Sequence, residues 1–93
     1  MIASLAHSRG LAIGLKNDGF QVAALVGDFD YLITESCFDY NECALSTPFV
    51  TAGKPVFLIE YEQTAAQFCK ASNQLGFNGI QKRRTLDSWV AFC

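Results

Sequence analysis

Residues 53–61 read Gly-Lys-Pro-Val-Phe-Leu-Ile-Glu-Tyr, and the fold follows from how this stretch is read. Pro55 opens a run of four apolar residues, Val56-Phe57-Leu58-Ile59, which stops abruptly at Glu60. The run is short, partly β-branched and free of glycine, which predicts a strand. Because it does not alternate with polar residues, the expectation is a strand buried on both faces, as in a parallel sheet.

The same grammar extends in both directions. Residues 11–15 form an apolar run after Gly10 that ends at Lys16-Asn17-Asp18-Gly19. Residues 29–34 form another, centred on Tyr31-Leu32-Ile33 and closed by Glu35. Residues 77–82, less apolar, give a fourth strand, ending in the basic Lys82-Arg83-Arg84. Amphipathic segments separate the runs. One or two helical turns are expected at 20–26, and a helix at about 42–52, limited by Pro48 and closed by Gly53. Thr64 is a sound N-cap for the next helix, where Ala65, Phe68, Cys69, Ser72 and Leu75 recur at helical spacing and Gly76 ends it. A last short helix capped by Thr85 is expected to carry Trp89, Val90 and Phe92, with Trp89 in the core. Residues 1–9 read as part of a helix, with neither the basic start nor the apolar stretch of a signal peptide. The pattern is α/β, with about four βα units in one domain, residues 1–93.

Each run ends in polar residues on its C-terminal side, where parallel α/β folds build their sites. That places Lys16, Asn17, Glu35, Glu60, Tyr61 and Lys82 at one edge. Two strand-end carboxylates, Glu35 and Glu60, have the chemistry to divide acid and base roles. Asn17 and Lys16 have donors for a substrate hydroxyl, and Tyr61, Tyr31 and Trp89 have rings on which a sugar could stack. The ordinary alternatives are solvated loop carboxylates and a plain Asn-Asp-Gly turn. His7 reads as a surface or packing residue.

Charge narrows the function classes. The net charge is −2 and the seven basic residues are scattered apart from the 82–84 trio, which does not suit a nucleic-acid partner. No apolar run approaches the ~20 residues that span a bilayer. No phosphate loop, nucleophile elbow or metal spacing is present, so no metal or other cofactor is expected. The four cysteines, Cys37, Cys43, Cys69 and Cys93, lack zinc-like spacing. A disulfide closing the short Cys37–Cys43 loop, with Cys69 paired to Cys93, is one of three connectivities, and four buried thiols are the alternative. Disulfides would imply an oxidising compartment.

Several of these stretches resemble glycoside hydrolase family 114. They are residues 10–18, Gly-Leu-Ala-Ile-Gly-Leu-Lys-Asn-Asp; residues 29–43, Phe-Asp-Tyr-Leu-Ile-Thr-Glu-Ser-Cys-Phe-Asp-Tyr-Asn-Glu-Cys; residues 53–61; Gly76-Phe77; and Leu86-Asp87-Ser88-Trp89. The resemblance implies a (β/α)8 TIM barrel of secreted enzymes that cleave α-1,4-linked galactosamine polymers, some bearing a broader α-galactosidase label. It implies that the four strands are strands five to eight, a partial barrel. It also implies that Glu35 is one of two catalytic carboxylates, the general acid/base. The other, an aspartate at the end of strand four, would precede Met1. Thr34 stands where the family usually carries asparagine. A full barrel needs about 250 residues, so the chain is expected to be inactive alone and to self-associate through its open edges. The alternatives are a carbohydrate-binding remnant or a non-functional fragment.

Overall fold

The computed structural model describes residues 7–17 and 21–93. Its elements in chain order are β1 (Gly14–Lys16), α1 (Val22–Leu25), β2 (Tyr31–Glu35), a 3-10 turn (Cys43–Ser46), α2 (Thr47–Thr51), β3 (Val56–Glu60), α3 (Ala65–Gln74), β4 (Asn78–Lys82) and β5 (Val90–Phe92). One sheet runs in the order β1-β2-β3-β4-β5. The pairs β1-β2, β2-β3 and β3-β4 are parallel, and β4-β5 is antiparallel.

The four expected strands all form in parallel, the first three shifted toward their C-terminal polar residues. The first is the most altered. Leu11 is exposed, and Ile13 gives its N–H to the Asp30 carboxylate at 2.7 Å rather than to a neighbouring strand. Only residues from Gly14 onward pair, Leu15 lying opposite Leu32. Of the expected N-terminal helix, His7 and Ser8 are helical, and residues 1–6 lie outside the described residues, as do Asp18, Gly19 and Phe20.

Two expectations are corrected. The 42–52 helix is broken into the 3-10 turn and a five-residue α2, because Pro48 has no N–H to continue a ladder through the join. The terminal helix is a strand instead. After Lys82 the chain turns at Arg83-Leu86, with Leu86 in the left-handed region at φ 53°. Val90, Ala91 and Phe92 then pair with Lys82, Gln81 and Ile80. A helix of so few residues has little to stabilise it, whereas β4 offers a row of unpaired backbone groups. A disulfide between Cys69 and Cys93 holds the new strand against α3. Trp89 is accordingly not core: it is 36% exposed, with the Arg83 guanidinium 4.9 Å from its ring centroid.

The helices cover one face of the sheet. Leu15, Leu32, Val56 and Leu58 point into that layer and meet Val22, Phe49, Phe68 and Phe77. The α3 helix begins as its sequence requires, with Gln67 Oε1 accepting the Thr64 N–H at 2.8 Å, and it closes at Gly76 with φ 79°. Along β3 the burial alternates, so the expectation of two buried faces is corrected. Val56, Leu58 and Glu60 are buried, while Phe57 is 42% exposed on the opposite face. Ile33, Ile59 and Ile80 lie on that same face in register with Phe57, which is apolar and without a covering layer among the described residues.

Candidate active site

Glu35 ends β2, and three residues on two neighbouring segments hold it. The Tyr61 hydroxyl, one residue past β3, donates to Oε2 at 2.7 Å. Lys16 Nζ, the last residue of β1, lies 3.1 Å from Oε1. Asn17 contacts it twice: its Oδ1 accepts the Glu35 N–H at 2.8 Å, and its Nδ2 approaches Oε1 at 3.4 Å. Asn17 reaches this position in the left-handed region, φ 57°, which asparagine tolerates better than most residues.

These contacts set the acidity. The Tyr61 hydrogen bond, aided by Lys16 and Asn17 and opposed by partial burial, holds the Glu35 carboxyl below the ordinary glutamate range. Burial, and then the bond to Glu35, push the Tyr61 phenol up. In this arrangement Glu35 is a carboxylate near neutrality.

A cavity of about 480 Å³ opens above it, lined by Asn17, Glu35, Tyr40, Glu42, Tyr61 and Arg84 among others. One wall is the loop after β2, closed by a disulfide between Cys37 and Cys43. Of the cysteine alternatives, the structure therefore holds two disulfides, and no free thiol occurs among the described residues.

The expected site residues separate into two groups. Lys16, Asn17, Glu35 and Tyr61 converge. Glu60 and Lys82 do not. Glu60 is fully buried under the cavity wall, out of a substrate's reach, because adjacent strand residues point to opposite faces and Tyr61 takes the cavity side. Lys82 Nζ instead donates to the Asp87 carbonyl at 2.5 Å, pinning the turn into β5. Sequence reasoning passed over Tyr40, Glu42 and Arg84. The short loop between two cysteines beside Glu35 was the available signal for the first two. Arg84 is held over the Tyr61 ring, 5.2 Å to its centroid, by an ion pair with Glu62. The described residues contain no group of His, Cys, Asp and Glu able to hold a metal.

The family model described as "Glycoside-hydrolase family GH114" matches residues 1–93. No curated protein matches the chain. Among solved structures, the chain is similar to Aspergillus fumigatus Ega3, crystallised in complex with galactosamine, with a TM-score of 0.83 and 34% identity. That match covers 98% of this chain and 41% of Ega3, so the chain spans less than half the length of its solved relative. With a family match along its whole length and a relative of the same topology, the chain belongs to glycoside hydrolase family 114.

Proposed function

We propose that residues 1–93 form the C-terminal half of a (β/α)8 glycoside hydrolase acting on an α-linked, galactosamine-containing polysaccharide, with Glu35 as its general acid/base. The observation that carries this reading is Glu35 at the C-terminal end of a parallel strand, oriented by Tyr61, Lys16 and Asn17 at the floor of a cavity. The galactosamine in the Ega3 complex supports the sugar class. The two disulfides support an extracellular parent.

Glycosidases of the usual kind need two carboxyl groups flanking the bond, roughly 5–10 Å apart. Glu60 is buried and cannot be the second. In this reading the partner comes from the barrel strands that these residues do not include. Its negative charge would raise the pKa of Glu35, converting a group now held as a carboxylate into one able to deliver a proton. The 93 residues alone would bind the amino sugar through Glu35 without turning it over. Held as a carboxylate by Tyr61, Lys16 and Asn17, Glu35 carries the charge that suits a cationic amino sugar.

The test is release of reducing ends from an α-1,4-galactosamine polymer by the purified chain, with and without Glu35→Gln. No turnover is expected from either protein, and retention of the polymer by the unsubstituted chain alone. Turnover lost on Glu35→Gln would overturn the half-site reading. Equal retention by both proteins would overturn the role of Glu35.

A further inference from the structure

Glu60 is a fully buried carboxyl group that does not line the Glu35 cavity. It sits between Ile59, whose carbonyl accepts the Ser36 N–H at 2.8 Å, and Tyr61, which holds Glu35. Its Oε2 accepts the Phe38 N–H at 2.9 Å, and its Oε1 has no partner. The Asp39 backbone N–H also favours the carboxylate form, while the Asp39 side chain adds a negative charge that opposes it.

Phe38 does not itself line the Glu35 cavity, but it belongs to the loop whose Ser36, Cys37, Tyr40 and Glu42 do. The loop is stiff within itself: besides the Cys37–Cys43 bond, Tyr40 N–H donates to Ser36 O, Asn41 N–H to Phe38 O and Glu42 N–H to Cys37 O. A stiff loop moves as a unit, so its height over β2 and β3 depends on where it is fastened to the sheet. Cys37 and Cys43 pack in the core and the Phe38 ring rests on Phe68, 6.1 Å between centroids, while the polar fastenings to β3 include the Ser36 backbone bond and Glu60. An apolar residue at position 60 would avoid the cost of burying a carboxyl, but would leave the Phe38 N–H unpaired.

We infer that Glu60 is a positioning residue: it fastens loop 36–43 at the height at which Tyr40 and Glu42 wall the cavity above Glu35. The end of β3 and the residue after it are thus two consecutive braces, Glu60 on the wall and Tyr61 on the carboxylate. The inference rests on the reading of that cavity as the glycan site.

The experiment combines amide hydrogen exchange with titration of α-1,4-linked galactosamine oligomers on the intact chain, Glu60→Leu and Glu60→Gln. Glu60→Leu should speed exchange at Phe38 while leaving Leu32 and Leu58 as slow as before, and should weaken oligomer binding about tenfold. Glu60→Gln, which keeps an acceptor for the Phe38 N–H, should restore both to within about threefold. Unchanged Phe38 exchange in Glu60→Leu, or faster exchange spread through the core, would overturn the inference. Should Glu60→Leu not fold, the unsubstituted protein decides. Its Phe38 amide proton shift should follow the titration of the Glu60 carboxyl seen by carbon-13, and an amide blind to that titration would overturn the inference. Failure of the unsubstituted chain to bind any oligomer would sink the glycan reading instead, while the exchange result still reports on the loop.

Discussion

Two glutamates only 25 positions apart in the sequence end adjacent parallel strands and have opposite acidities. Glu35 is held below the ordinary range, chiefly by the Tyr61 hydroxyl. Removing that hydroxyl in Tyr61→Phe should move the Glu35 titration up toward its unperturbed value of 4.5, read by carbon-13 shifts of the side-chain carboxyl. Because the folded value is depressed, the stability that Glu35 contributes is present above the unfolded value and lost as pH falls through the folded one. Glu60 has the reverse sign. Burial raises its folded value, with the backbone bond at Phe38 opposing, so its contribution is fullest below the unfolded value and declines as pH rises through the folded one. Denaturant midpoints of Glu60→Gln should therefore fall less between pH 4 and neutrality than those of the parent. Glu35 was legible in the sequence because a lone carboxylate follows an apolar strand directly. The buried role of Glu60 was not, since which of two consecutive strand-end residues faces the cavity depends on register, which a run without alternation does not reveal.

Elements were legible where apolar pattern and capping agreed. The β3 run and the α3 helix, with Thr64 at its start and Gly76 at its end, formed as expected within a residue. The terminal segment was not, because its conformation depends on a partner far along the chain, the open edge of β4 and Cys69. Unfastening it is a direct check. Cys93→Ser should cost about 2–4 kcal/mol in denaturant unfolding and raise exchange at Ala91 and Phe92, whereas an unaltered midpoint would mean that β5 needs no tie. Close packing makes a second check at Gly14, where an added Cβ would fall 2.2 Å from the Tyr31 ring. Gly14→Ala should destabilise by about 1–3 kcal/mol through displacement of that ring, and it should loosen the β1-β2 pair that brings Lys16 and Asn17 to Glu35.

At the scale of the whole molecule, one face of the sheet is a packed core and the other bears Phe57, Ile33, Ile59 and Ile80 with no layer over them among the described residues. An apolar cavity of about 400 Å³ lies on that side. Such a face, on a chain spanning 41% of its solved relative, suits burial against further barrel strands. Without them the purified chain is proposed to self-associate. Sedimentation should show a concentration-dependent species that Phe57→Asp shifts toward monomer, and a monomeric parent at all concentrations would remove the proposal. On the far edge β5 already pairs with β4, so a barrel closing there must take β5 in as an antiparallel strand or displace it. The central claim concerns the polar end of this sheet, and it is tested most directly by titrating the chain with α-1,4-linked galactosamine oligomers while following backbone amide shifts. The account predicts changes confined to residues around Glu35, Tyr61, Tyr40 and Glu42, and affinity at least about tenfold weaker in Glu35→Gln. Shifts elsewhere, or an affinity that Glu35→Gln leaves intact, would contradict it.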